Sequence, residues 1–253
     1  MGYLYSKEDF TQNLSNLTDW QLNAFDLFST KLSDKERKFP CIPATQGYFS
    51  NQLRYGFVDD PRKKTSGQQL AYLLKKYTQK SRELGDYTSL IIFCDTPLDL
   101  IKTSTIVDYE NIFWSLLNET TKHDIKDWPS DIPTDPNHHI WEFCFHGEQY
   151  FVYCGTPGHV QRQSRSFPYL LLAITPRWVL EKFNSGSKHV GKVKKSIRKR
   201  LQKYDSIPAH PNLNMYGQND NFEWKQYFLR DDQSTAPSCP FSYIRNTLKS
   251  LRK

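Results

Sequence analysis

The apolar positions of the chain repeat at two spacings, and each spacing predicts an element. Residues 7–32 place Phe10, Leu14 and Leu17, then Leu22, Phe25, Phe28 and Leu32, at helical intervals, with Thr18 or Asp19 as the N-cap of a second helix. Residues 66–81, opened by Ser66, continue the helical period through Leu70, Leu73, Leu74 and Tyr77, and residues 107–122 form another such stretch. Short runs rich in β-branched and aromatic residues predict strands at 87–95 (YTSLIIFCD), 140–145, 150–154 and 169–175 (YLLLAIT). The middle two are joined through His146-Gly147-Glu148-Gln149, a link of hairpin length that contains glycine. Pro40, Pro43 and Gly47 punctuate residues 38–57, which read as an ordered loop. A Pro/Asn-rich passage spans 207–221, and a short helix is predicted over 242–251. With no repeat, low-complexity tract or polar linker, the pattern predicts an α+β fold: a single domain with a largely antiparallel sheet and helices packed on it. An N-terminal helical segment, 1–37, is expected to pack on one continuous unit, 38–253.

Composition supports a packed core, since 15% of the 253 residues are aromatic. The strongly apolar runs are far shorter than the roughly 20 residues a membrane span needs. No apolar stretch follows the first seven residues as an export signal would. The five cysteines (41, 94, 144, 154 and 239) form no CxxC pair, so reduced thiols and a cytoplasmic location are expected. The formal charge of +7 is concentrated: residues 188–203 hold eight basic side chains and no acidic one. Taking those eight from the 34 lysines and arginines leaves 26 against 27 acidic residues, so the rest of the chain is about neutral. Val190, Val193, Ile197 and Leu201 run through the same stretch as one apolar stripe of a basic amphipathic helix. Such a helix can serve a nucleic-acid or anionic-membrane surface. A solvated outer face docked by its stripe is the plainer reading, because interleaved aromatics are scarce.

The common phosphate-loop, Rossmann, zincin and serine-elbow motifs are absent, as is CxxCH. His138, His139, Cys144 and His146 are close in sequence, but strand alternation splays them to different faces and argues against a metal cluster. Three segments are dense in polar residues beside aromatics. The first is Phe39-Pro40-Cys41 with Asn51-Gln52-Leu53-Arg54-Tyr55-Gly56-Phe57. The second is Thr156-Pro157-Gly158-His159-Val160-Gln161-Arg162-Gln163-Ser164-Arg165. The third runs from His210-Pro211-Asn212 through Tyr216-Gly217 and residues 223–229 (EWKQYFL) to Cys239-Pro240-Phe241. In the second, His159 and Arg162 fall just past a strand end. A histidine there can ligate a metal or haem iron, or move protons, and the arginines can hold carboxylates in a bidentate fork. A polar loop with a structural histidine fits the same spacing.

Together these segments resemble the YqcI/YcgG family of bacterial proteins. The motifs are FPC…RYGF, then WEF-x-F-x-G-x-x-x-FV (141–152) running into TP-x-H-x-x-R-x-SR (156–165), then HPN…YG…EWKQYFL and CPF. The resemblance covers nearly the whole chain from Phe39 onward. His146 departs from it, standing where a small turn residue is expected. The resemblance implies a haem-dependent oxygenase that hydroxylates a nitrogen of an arginine-like or other amino or guanidino substrate, using non-covalent haem b and an external electron donor or peroxide. His159 is then the expected iron ligand, with Cys41 and His210 as alternatives. Arg162 and Arg165 are expected at the propionates, and Arg54 at the propionates or a substrate carboxylate. Glu223, with Glu142 second, is expected to hold the substrate's cationic group, beside Trp224, with Trp141 and Tyr227 as further lining. A haem-binding protein without oxygenase activity is the alternative. A nucleic-acid or anionic-surface protein acting through the basic helix is not favoured, because it leaves the His159 and His210 segments without a purpose.

Overall fold

A computed structural model describes residues 2–12, 16–185, 189–213, 219 and 221–242. Its centre is a five-stranded sheet in the order β1-β2-β5-β4-β3. The strands are β1 (Arg54–Val58), β2 (Leu90–Cys94), β3 (Phe143–Phe145), β4 (Glu148–Gly155) and β5 (Leu170–Pro176). Only β1 and β2 are parallel, so the sheet is largely antiparallel, as predicted.

Alternation along the strands sends side chains to two different cores. Leu90, Ile92 and Cys94, with Val152, Cys154, Leu172 and Ile174, face one side. There they meet α4 (Lys64–Lys80) through Leu70, Leu73, Leu74 and Tyr77, and α6 (Ile106–Thr121) through Phe113, Trp114 and Leu117. The short α9 (Trp224–Tyr227) completes that layer. Tyr55, Ile91, Phe93 and Leu171 face the other side, against Phe10 of α1 (Asp9–Gln12) and Ala24, Phe28 and Leu32 of α2 (Asp19–Ser33). The sheet is therefore buried on both faces, and β2 has no exposed residue.

Several sequence expectations change. Residues 38–57 are not all loop: Ile42–Phe49 forms α3, followed by β1. Pro43 does not break α3 because it lies in the first turn, where the missing N–H is no loss. The helix predicted from Ser66 begins earlier, at Lys64, and the Ser66 hydroxyl donates to the Asp60 carbonyl at 2.6 Å instead of capping. The hairpin turn is only two residues, His146-Gly147, with φ of 55° and 77°. That mirror-image turn matches the twist of paired strands, and Gly147 adopts it at little cost. Leu98–Thr103 (α5) and Arg177–Ser185 (α7) are helices that the apolar pattern did not announce. The basic stretch forms α8 (His189–Tyr204), with its apolar stripe half-buried. Lys188, Tyr216, Gly217 and the helix predicted from 242 to 251 lie outside the described residues, apart from Ser242. Among the described residues no helix is long and apolar enough to cross a membrane.

Candidate functional site

The second polar–aromatic segment of the sequence, 156–165, folds into a staple. His159 is 1% exposed, and its Nε2–H donates to the Leu229 carbonyl at 2.8 Å. Nδ1 therefore carries the lone pair and accepts from the Thr156 hydroxyl at 2.9 Å, whose oxygen takes the Gly158 N–H. Burial holds the imidazole pKa down to about 4, so the ring is neutral. Arg162, also buried, spends its guanidinium on the carbonyls of Arg230, Pro208 and Asp232. Arg165 does the same with Cys154, Tyr227 and Gln226, stacked on the Tyr153 ring. His210 bonds the Ser234 carbonyl and the Asn212 N–H. These are the residues expected to ligate iron (His159, with His210 as an alternative) and to hold propionates (Arg162 and Arg165). Each ring nitrogen is engaged, and the two guanidiniums are directed at main-chain carbonyls.

The expected substrate carboxylates are present but already hold a guanidinium, that of Arg177 at the start of α7. Glu142 and Glu223 flank it at 2.6 and 3.0 Å, and all three residues are buried. A substrate cation would meet Arg177 already seated between these two carboxylates. Trp224, the residue expected beside the substrate, is buried in the core, edge-on to Trp114 with ring centroids 6.4 Å apart. Trp141 and Tyr227 belong to the same core. Arg54 lies apart from all of these, in a cleft with Tyr3, Lys76 and Lys80, donating to the carbonyls of Asn51 and Leu53.

One expected residue does line a cavity. On the face of the sheet covered by α2, a pocket of about 180 Å³ is walled by Ile91, Phe151, Tyr153, Leu171 and Ala173 from the strands, Phe28 and Leu32 from α2, Phe39 and Ala44 around α3, Phe167, and Leu180 of α7. Cys41, the N-cap residue of α3, is the cysteine in its wall. Burial raises the pKa of that thiol, while the Ala44 backbone N–H acts the other way and favours the thiolate. Lys31 also reaches the cavity. Its Nζ donates to the carbonyls of Gln163 and Ser166 at 2.9 and 2.7 Å and lies near the rings of Phe39 and Tyr204. Burial lowers its pKa to about 8, and among the described residues no carboxylate pairs with it. Arg37, stacked on Tyr204, and Arg200, bonded to the Phe39 carbonyl, complete a cationic rim.

Sequence reasoning missed Lys31 and Arg177. A signal for Lys31 existed, since it shares a helix face with Phe28 and Leu32. Arg177 directly follows the mostly apolar strand β5, which foretells a buried position but not its partners. Among the described residues no cluster of three or more His, Cys, Asp or Glu side chains could hold a metal ion.

Comparison with known proteins places these features in a family context. The sequence profile of the YqcI/YcgG family matches residues 28–242. YqcI of Bacillus subtilis (strain 168) is 48% identical over 252 residues, covering 100% of this chain and 99% of its own. YcgG of the same organism is 45% identical over 249 residues, covering 98% of each. DcsA of Streptomyces lavendulae, whose name describes it as a candidate N(omega)-hydroxy-L-arginine synthase, is 28% identical over 235 residues, 90% of this chain and 86% of DcsA. No solved structure matches the chain.

Proposed function

This chain belongs to the YqcI/YcgG family, and on that premise we propose that it is an enzyme hydroxylating a nitrogen of an amino or guanidino substrate, with a haem held at the Cys41 cavity. The name of DcsA supports the reaction class. The observation that carries the site is the coincidence, in one apolar cavity, of a thiol donor and an unpaired lysine. Haem needs an axial donor, apolar walls and cations for its propionates, and these residues fit it in kind. The cavity volume of about 180 Å³ is below the roughly 300–1,000 Å³ of cofactor-sized sites, so its walls must part to admit the group.

When bound, haem supplies the activation of oxygen that no side chain here can perform. Cys41 would hold the iron as the thiolate, releasing its proton on binding, with the Ala44 N–H steadying the sulfur charge. Lys31, Arg37 and Arg200 would neutralise the carboxylates at the rim. Phe39, Phe151 and Phe167 exclude water from the cavity wall. His159 and Arg162 contribute indirectly, by fixing the loop that follows β4.

The test is the absorption spectrum of protein purified with haem precursor, ferric and then ferrous under carbon monoxide, for the wild type, Cys41→Ala and His159→Gln. A thiolate-type ferrous-CO band that vanishes in Cys41→Ala and persists in His159→Gln is expected. A band insensitive to Cys41→Ala overturns the ligand, and absence of haem in the wild type overturns the cofactor. Turnover of L-arginine with hydrogen peroxide, read as gain of one oxygen by mass spectrometry, tests the reaction itself.

A further inference from the structure

The exposed face of α8 carries Lys192, Lys195, Lys199 and Lys203, at steps of three, four and four residues. At 1.5 Å per residue they form a straight row about 16 Å long. All four are solvent-exposed, and among the described residues none is in an ion pair. Like charges at such spacing repel one another, so the row works against the stability of the element that carries it. Val190, Val193, Ile197 and Leu201, on the opposite side, are half-buried. The apolar stripe is thus turned toward the protein and is not presented to lipid.

The C-terminal half of α8 abuts the cavity rim. Arg200 donates to the carbonyl of Phe39, Arg37 donates to the carbonyl of Tyr204, and the rings of Tyr204 and Phe39 meet edge to face at 5.9 Å. Hydroxylation of a nitrogen with dioxygen consumes two electrons and two protons: one oxygen atom enters the N–O bond and the other leaves as water. The chain has no GxGxxG motif to suggest a nicotinamide or flavin of its own, so that route needs electrons from outside.

We propose that the lysine row of α8 is the docking face for an acidic one-electron carrier protein, positioned to deliver electrons at the cavity rim. The inference rests on the oxygenase reading above for its purpose, while the docking itself is independently measurable. Charge complementarity argues for the partner: four cations in line, within the one stretch that carries the chain's net positive charge, steer an acidic surface toward one place. Nucleic acid is less well served, since Gly191, Ser196 and Gln202 separate the lysines on the exposed face with no aromatic to stack a base.

The experiment titrates the full-length protein, reconstituted with haem, with a [2Fe–2S] ferredoxin, and compares the wild type with Lys195→Glu/Lys199→Glu and the neutral pair Lys195→Gln/Lys199→Gln. Association with the wild type should weaken steeply as salt rises. The charge-reversed pair should bind at least about tenfold more slowly at low salt, the neutral pair should fall between, and both should show a flatter salt dependence. Peroxide-driven hydroxylation should be the same in all three. Equal ferredoxin binding by wild type and charge-reversed protein overturns the proposal. So does a loss confined to duplex DNA or phosphatidylserine vesicles tested in parallel. A wild type that binds ferredoxin through these lysines yet fails in the peroxide assay leaves the docking face standing and overturns the oxygenase reading.

Discussion

His159 couples the fold to pH, and the size of the effect follows from its surroundings. The ring is neutral in the folded chain, donating to Leu229 and accepting from Thr156, and burial, with Arg165 and Arg162 nearby, resists a further charge. Its pKa falls from the ordinary 6.5 to about 4. Above pH 6.5 the imidazole is neutral in both folded and unfolded chains, so its contribution to stability is fully present. As pH falls below 6.5 the unfolded chain takes up a proton that the folded one refuses. Stability then declines by about 1.4 kcal/mol per pH unit until the folded ring itself protonates near pH 4, a total of about 3 kcal/mol. The pKa of His210 is also lowered by burial, so it adds in the same direction. The assay is the urea midpoint and slope between about pH 7.5 and pH 4.5 for the wild type and His159→Gln. The glutamine amide can still donate to Leu229 but cannot titrate. The wild type should lose about 2–3 kcal/mol more than the variant across that range, and His210 should leave the variant a residual slope. Parallel curves would refute the neutral, buried histidine and reopen its assignment as a ligand.

Two further substitutions test the packing that frames the site. Arg177→Met leaves Glu142 and Glu223 buried without their cation, at a cost of about 3–5 kcal/mol, seen as a melting temperature lowered by roughly 10 °C. A drop of only a degree or two would mean that the carboxylates find water or other partners readily. Gly67→Ala puts a Cβ 2.5 Å from that of Glu119, where α4 crosses α6. The helix-propensity gain of about 1 kcal/mol should be outweighed by overpacking of roughly 1–3 kcal/mol, lowering the urea midpoint. A raised midpoint would show that the two helices can separate.

The strands that were legible in the sequence are those whose burial is nearly complete. The runs LIIFC and LLLAIT carry apolar residues to both faces and need no partner to be recognised. β1 (RYGFV) was hidden because Gly56 interrupts it and its parallel partner lies over 30 residues away, which no local pattern records. α3 was hidden for a different reason. Proline marks a helix break only after the first turn, and at Pro43 it marks a start. His146 concealed a two-residue turn, since its φ of 55° is one that an Asn or Gly would have advertised.

Polar density near aromatics in a sequence has two physical origins. Segment 226–232 runs from the buried Gln226 out to the exposed Asp232 mostly without strand or helix partners, and its carbonyls must still find donors. Gln226 and Tyr227 receive them from Arg165, Leu229 from His159, and Arg230 and Asp232 from Arg162. Five of those seven consecutive carbonyls are thus satisfied by side chains of the 156–165 motif. A donor-rich motif followed at a distance by an irregular aromatic segment is what such a staple looks like in sequence, and it is also what a haem ligand with propionate arginines looks like. What separates the two is the donor left over. The staple uses up its histidine and arginines, whereas Lys31 bonds only main-chain carbonyls, beside the Phe39 and Tyr204 rings and under the influence of the Asp205 charge, and Cys41 lines a mostly apolar cavity. A buried lysine in no ion pair, lining the same pocket as a thiol, is costly to keep charged. On the haem reading proposed above, that cost would fall when an anionic, metal-bearing group enters the cavity.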